Sequence, residues 1–442
     1  MKVLPPCFLA ILFFAYSAHG QLSLEQCIAE ALDNNPDLNA ALHRLDAASA
    51  SIQSARSGWY PQITASGTYT RTDNPPQAFF MNLNQRNADL ANDFNQPDVT
   101  DNFRASLGFR MLVADGGLRS LSIDTATLRK EAEKHLTAAA QNELVFQVSR
   151  AYFTLAQAIA MVDVEHASLR SISENLRIAR SRHEHGSGLL SDVLQLEVDM
   201  AEAEVNVSRA LNRVELAIAA LNASVGSVVA DRNTSLTPDV ISLDPVDFEV
   251  DAMLAMERPE YKGLAREAEA MELEMKQNQR RRLPRLYAFG SVDWDSDSLS
   301  GFEDSYLVGA ALEIDLFRGF KTRAEIAIAD ARRREAQARA DSTRNQMILE
   351  LDQARLNARE AWSRIAITAK GAVSALEAHR IVQERYEQGS SGIAELLAAQ
   401  SRHASAQYRE VAATYDYLIA KSALKRALGA YGTADHATGE KK

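Results

Sequence analysis

Two cysteines, Cys7 and Cys27, are all that the 442 residues carry. A disulfide framework is therefore excluded, and no zinc-ligand spacing exists. Cys7 lies in a segment expected to be removed, which leaves one free thiol, and Cys27 reads as a small packed residue. Positive charge is in deficit. With 48 Lys and Arg against 59 Asp and Glu, the net charge is −11, which argues against a nucleic-acid partner. Long apolar runs are missing beyond the first twenty residues, so no stretch approaches the ~20 residues of a transmembrane helix. A membrane crossing by this chain would have to use strands. Aromatics are scarce at 7%, while Ala, Leu, Glu, Arg and Gln are abundant, a composition that favours long helices.

Catalytic constellations are lacking as well. There is no nucleophile elbow, no phosphate loop and no His pair at helical spacing. No catalytic residue, cofactor or metal is expected, and the chain does not read as an enzyme. His183 and His185 are two residues apart and point to different sides of a helix. Met253, Met256, Met271 and Met275 have the spacing of helix packing. Arg280, Arg281 and Arg282 read as a solvated cluster compensating a helix dipole.

What is present begins with an export signal. Lys2, the apolar run Phe8 to Tyr16 and the small residues of Ala18-His19-Gly20 predict a signal peptide over 1–20, cut after Gly20. A lipid anchor is not expected, because Cys7 comes too early and Cys27 follows Glu25-Gln26.

The remainder contains one design twice. Asn35-Pro36-Asp37 and Tyr60-Pro61 recur as Arg258-Pro259-Glu260 and Leu283-Pro284, both offset by 223 residues. Gly116, Gly186 and Gly226 recur as Gly319, Gly389 and Gly429, all offset by 203. Twenty extra residues therefore sit in the middle of the first copy. The expected organisation is a first repeat over 21–226, a linker over 227–247, a second repeat over 248–432 and a flexible tail over 433–442.

Neither Gly nor Pro occurs between Leu118 and His185, and only Gly371 interrupts Phe320 to Gln388. Helices of that length, at ~1.5 Å per residue, reach on the order of 100 Å and need a partner along their length. Glycine turns at 185–188 and 388–392 reverse the chain into helical runs from Leu189 to about Ala223 and from Ile393 to about Leu428. Each copy thus holds a long helical hairpin. Leu24–Ala55 and Phe248–Gln279 are expected to be helices that stack end to end with the returning ones.

The middle of each copy changes to period two. Ile63, Ala65, Gly67 and Tyr69 alternate with Thr64, Ser66, Thr68 and Thr70, and Phe103 to Val113 alternates likewise. The second copy alternates over Leu286 to Asp295 and Tyr306 to Leu316. One face is apolar and the other carries Asp293, Asp295, Glu313 and Asp315, the pattern of strands with lipid outside and water inside. These four acids are expected to line the lumen and favour cations. Thr72 to Thr100 reads as a long polar loop. Four strands cannot close a barrel, and an open sheet edge is not tolerated in lipid, so several chains must share one barrel.

In order and spacing these features resemble the TolC-type outer-membrane efflux proteins. The resemblance is carried by Leu22-Ser23-Leu24-Glu25-Gln26 through Asn35-Pro36-Asp37-Leu38, Tyr60-Pro61, Val113-Ala114-Asp115-Gly116-Gly117, Ala151-Tyr152-Phe153 and Leu316-Phe317-Arg318-Gly319. It implies a mainly α fold in which duplicated hairpins form a helical barrel. Four strands per protomer would join a trimeric twelve-stranded barrel in the outer membrane of a Gram-negative bacterium. It also implies a periplasmic adaptor and an inner-membrane transporter as partners, besides outer-membrane lipid. The implied periplasmic gate comprises Asp192 and Glu395, six residues after the turn glycines, with Tyr386 and Ser191. The implied adaptor-docking turns are Gly186, Ser187, Gly188, Gly389, Ser390 and Gly392. Two positions depart from the family pattern. Ser391 stands where an arginine is usual, and Ala398 where a second acid occurs. The chain then acts as a passive exit duct for small molecules. The same duct can serve type I protein secretion. A soluble periplasmic coiled-coil scaffold would explain the helices but not the strands.

Overall fold

The computed structural model describes residues 21–89, 95–237, 243–246, 248–249 and 252–431. The expected signal peptide and tail lie outside the described residues. In chain order the elements are α1 (Leu24–Asn34), α2 (Pro36–Ser57), β1 (Gln62–Thr72), α3 (Pro75–Asn84), β2 (Thr100–Ala114), α4 (Leu118–Glu184) and α5 (Leu190–Val225). A 3-10 turn (Ala252–Glu257) leads into α6 (Pro259–Arg280), β3 (Arg285–Ser296), β4 (Glu303–Glu313), α7 (Lys321–Glu387) and α8 (Ile393–Ala427). The repeat is visible in the lengths. Helices α2 and α6 each have 22 residues, α4 and α7 each have 67, and α5 and α8 have 36 and 35.

The chain divides into two compact units. One is built from 1–39, 140–255 and 348–442, the other from 40–139 and 256–347, each within its described part. The first holds α1, α5, α8 and the larger parts of α4 and α7. Its core gathers Cys27, Ala31 and Leu38 with Leu144, Val148, Tyr152 and Leu155 of α4 and Leu221 and Val225 of α5. Burial pushes the Cys27 thiol up to about 11. Ser23 and Gln26 form a capping box that starts α1.

The single helix expected over Leu24–Ala55 is in fact two. Pro36 offers no N–H and forces Asn35 into the extended region, with φ −68° and ψ 124°. The Asn35 side chain turns that break into a cap. Its Oδ1 accepts from the N–H groups of Asp37 (2.9 Å) and Leu38 (3.1 Å), and its Nδ2 donates to the Ser224 carbonyl at the end of α5 (2.9 Å). Gly226 ends α5 at φ +88°, and a Cβ there would lie 3.0 Å from the Asn35 Cα. The second expected helix, Phe248–Gln279, is shortened for the same reason and begins only at Pro259.

The second unit holds α2, α3, α6, the first part of α4, the start of α7 and a four-stranded antiparallel sheet in the order β1-β2-β3-β4. Registers align like with like. Ser66, Ser106, Asp293 and Ser305 form one row across the sheet, and Thr68, Arg104, Asp295 and Glu303 another. On the opposite face Ala65, Leu107, Val292 and Tyr306 are aligned. Two aromatic rings fill glycine gaps across strands. Phe109 covers Gly290, where a Cβ would come within 2.6 Å of it, and Phe289 covers Gly309 at 2.7 Å.

Two sequence expectations are corrected here. Strand β4 lies at Glu303–Glu313, not Tyr306–Leu316, because its ladder with β3 ends where Glu313 meets Arg285. Alternation continues beyond that point without a strand to pair with. The long β1–β2 connection is not all loop. Pro75 and Pro76 occupy the first turn of α3, where no N–H is required, and Asn74 caps it by accepting from the Gln77 N–H. The prolines start a helix instead of marking its absence.

Where β2 ends and α4 begins, Arg119 is buried and uses four of its five N–H donors. It pairs with Asp115 (3.1 Å), donates to the carbonyls of Gly58 (3.1 Å), Leu112 and Val113 (2.9 Å), and lies over the Trp59 ring at 3.9 Å.

Candidate functional site

Both long hairpins turn by the same local mechanism. At the end of α4 the Gly186 N–H donates to the His183 carbonyl (2.9 Å) and the Ser187 N–H to the Arg182 carbonyl (2.8 Å). At the end of α7 the Gly389 N–H donates to the Tyr386 carbonyl (3.0 Å) and the Ser390 N–H to the Arg385 carbonyl (2.8 Å). This is a Schellman ending. It needs a left-handed residue, and Gly186 (φ +76°) and Gly389 (φ +75°) supply it. Ser187 and Ser390 also donate through their hydroxyls to the Arg182 and Arg385 carbonyls, at 3.1 and 3.0 Å. The turns then diverge. Gly188 is tightly enclosed, since a Cβ would lie 3.0 Å from the Arg182 Cβ, whereas Gly392 has open space and starts α8. In the first turn Leu189 and Leu190 are 67% and 54% exposed, so its tip carries apolar surface.

Beside these turns lie the residues implied by the resemblance. Tyr386 is only 2% exposed. Its backbone carbonyl accepts from the Arg182 guanidinium, which also stands 5.0 Å from the ring centre. Burial, and next the carboxylate of Asp192, hold the Tyr386 phenol above its ordinary value. Ser191 is exposed and makes a long 3.5 Å contact to the carboxylate of Asp192. Glu395 accepts from the Ser391 hydroxyl (2.6 Å) and the Arg385 guanidinium (3.1 Å). Those contacts, the serine first, hold its carboxyl below the usual range.

Two arginines that no sequence motif singles out stand here, while position 391, where the family pattern has an arginine, is Ser391. The cations stand before the glycines instead, at Arg182 and Arg385, four residues upstream in each copy and themselves 203 apart. The repeat offset was the signal that could have found them.

In the sheet, the four expected lining acids are all engaged. Asp293 accepts from Ser106 and Ser291, the latter at 3.0 Å. Asp295 is 1% exposed and accepts from Asn102 (2.7 Å) and from Arg104 (2.8 and 3.1 Å). Glu313 and Asp315 lie 3.3 and 3.5 Å from the guanidinium of Arg285. Asp315 falls just beyond β4. Gln85, after α3, donates to the Asp101 carbonyl (2.7 Å) and to Asn102 (2.8 Å), so α3 closes over the same polar network. Pairing with Arg104 and Arg285 reduces the negative charge that the acids alone would display.

Comparisons with known proteins give the family and the fold. The sequence matches the family described as Outer membrane efflux protein over residues 27–227 and 254–430. It is 22% identical to outer membrane protein TolC of Escherichia coli over 98% of this chain and 88% of that protein. It is 25% identical to outer membrane protein OprJ of Pseudomonas aeruginosa over 85% and 78% of the two chains. Among solved structures, the CmeC outer membrane channel of Campylobacter jejuni has the same fold, with a TM-score of 0.81 at 17% identity, covering 92% of this chain and 85% of that one.

Proposed function

The chain belongs to the outer membrane efflux protein family and is an outer-membrane protein; from that premise we propose that three copies assemble into a passive exit duct. The observation that carries this reading is the open sheet. Among the described residues, strands β1 and β4 have no partner on their outer sides, and exposed Ile63, Leu107, Tyr306, Val308 and Leu312 share the sheet with polar rows. In lipid such edges are satisfied only by closure. Three copies of four strands give the barrel size that the resemblance implies.

In this reading the lipid-suited face meets the outer membrane and the polar rows meet water. The hairpin turns at Gly186-Ser187-Gly188 and Gly389-Ser390 with Gly392 form the periplasmic end, where an adaptor protein docks and an inner-membrane transporter delivers substrate. The exposed Leu189 and Leu190 support docking there. Asp192, Ser191, Tyr386 and Glu395 form the gate, held by Arg182 and Arg385 in place of an arginine at position 391. Small molecules diffuse through once the gate opens, and the driving energy comes from the transporter. The paired acids make any cation preference modest.

Single-channel recording on the purified protein tests this. Wild type is compared with Asp192→Ala plus Glu395→Ala. Pores in both, with changed conductance or selectivity in the variant, support the duct and the gate. Pores that do not differ remove the gate assignment. A folded protein that fails to insert into membranes overturns the duct.

A further inference from the structure

One titratable cluster is not used by the duct. His379 of α7 and His403 of α8 stack face to face, with ring centres 5.5 Å apart and planes 14° from parallel. His379 is 6% exposed, and its Nε2 has no hydrogen-bond partner. A buried polar nitrogen without a partner is uncommon and calls for an explanation.

The internal repeat sharpens the point. At the 203-residue offset, His379 corresponds to Leu176 and His403 to Met200. In the first hairpin those residues belong to an apolar cluster with Ala179, Val193 and Leu196. An apolar pair of one copy is thus a pair of imidazoles in the other. His379 also lies seven residues, two helical turns, before Tyr386, and so on the same face of α7.

The neighbours of the two rings at helical spacing on α7 and α8 carry no charge. At helical spacing the neighbours are Ala375, Leu376, Val382 and Gln383 on α7 and Ala399, Gln400, Ala406 and Gln407 on α8. Nearby charges are committed elsewhere. Arg380 pairs with Glu377 and Glu384 on α7, Glu174 with Arg177 on α4, and Arg180 of α4 with Glu197 of α5. Arg402 of α8 is exposed. The influences on His379 are burial and then His403, and on His403 burial alone; both rings are held below the ordinary histidine value.

We propose that the His379–His403 stack is an acid-sensitive latch. Protonation of the two rings sets like charges against each other in a buried site, separates α7 from α8 two helical turns below the second turn, and loosens the end that carries Tyr386 and Glu395. The first hairpin, with Leu176 and Met200 in the same places, does not respond. Because the folded values are depressed, the latch is fully closed above the unfolded histidine value of ~6.5 and is lost as pH falls from there through the lower folded values. The consequence for conduction rests on the gate reading above. The loosening itself does not.

Hydrogen exchange of the intact protein in lipid, at about pH 7.5 and about pH 5.5, either side of that value, tests the latch. Rates are corrected for the intrinsic effect of pH. Exchange over 380–402 is expected to rise several-fold in acid while 177–199 stays unchanged. The variant His379→Leu with His403→Met, which borrows the first copy's residues, is expected to abolish the rise. If that variant folds poorly, His403→Gln removes one of the two charges and is expected to blunt the response. No acid response over 380–402, or an equal response in the variants, overturns the latch. Conductance recorded in parallel separates the two readings. A folded protein that does not insert into membranes at any pH defeats the duct, while exchange still decides the latch.

Discussion

Arg182 and Arg385 occupy the same position of two helix ends that share every backbone hydrogen bond of the turn, and each reaches the carbonyl of the following serine, Ser187 and Ser390, at 3.3 and 3.4 Å, yet otherwise their guanidiniums hold different groups. Arg182 reaches the carbonyl and ring of Tyr386, across to the second hairpin, whereas Arg385 stays within its own hairpin and pairs with Glu395. The first therefore ties two hairpins together and the second stiffens one of them.

Arg182→Ala is expected to loosen the turn end more than Arg385→Ala. A cation over a partly desolvated ring contributes about 1 kcal/mol, whereas an exposed pair such as Arg385–Glu395 contributes little. Single-channel recordings that show a larger conductance change for Arg182→Ala would bear this out. Equal effects would count against it.

Acid should act on Glu395 separately from the histidines. Its carboxyl is held below the usual range by Ser391 and Arg385. The stabilisation is therefore complete above the unfolded value of ~4.3 and lost as pH falls through the lower folded one. Exchange near Ser391 should show a step below pH ~4.3 that Glu395→Gln removes. A step that survives Glu395→Gln would assign it to another group.

Arg104→Leu leaves the buried Asp295 carboxylate with Asn102 alone. Removing one partner of a fully buried pair costs ~3–5 kcal/mol. Arg104 is 39% exposed, so about 2 kcal/mol is expected here. The temperature at which the oligomer dissociates should fall, and Arg104→Leu with Asp295→Leu should recover part of the loss. A double variant as unstable as the sum of the single ones would show that the two groups are not coupled.

Gly116→Ala and Gly371→Ala should have opposite signs. Gly116 has φ +66°, and a Cβ would lie 2.5 Å from Leu283. About 2 kcal/mol of destabilisation is expected. Gly371 sits inside α7 with nothing within 4 Å of an added Cβ. There alanine should stabilise by about 1 kcal/mol. Thermal unfolding of the two variants checks both signs together.

Cys27 is fully buried, with its thiol raised to about 11. At pH ~8 only about one thiol in a thousand is then ionised, so maleimide should not label it in the native protein. Labelling at Cys27, located by peptide mapping, should appear on denaturation. Rapid native labelling would mean that α1 opens.

Much of the fold was legible because the repeat is written in residues whose backbone roles are local. Glycines 203 residues apart mark equivalent left-handed turns, and long stretches without Pro, broken by no Gly but Gly371, mark both 67-residue helices. The misreadings lie where a short-range signal has two meanings. Pro75 and Pro76 were compatible with a loop or with a helix start, and Asn74 decided between them. The alternation through Ile314 and Leu316 was genuine, but a strand also needs a partner, and β3 offered none there. At the hairpin ends the sequence showed where the glycines and acids stand, while the groups that Arg182 and Arg385 hold depend on how the helices pack.

The sequence by itself determined the duplicated plan, the two hairpins and the four alternating strands. Each follows from periodicity and from the backbone limits of Gly and Pro, which act over a few residues. Only the tertiary structure decided which charges meet. Arg104 faces Asp295 across 191 residues, Arg182 reaches Tyr386 across 204, and His379 stacks on His403 where the first copy keeps Leu176 and Met200. Such pairings depend on strand register and helix packing, which no local pattern encodes, because the same side chain in another register would face water.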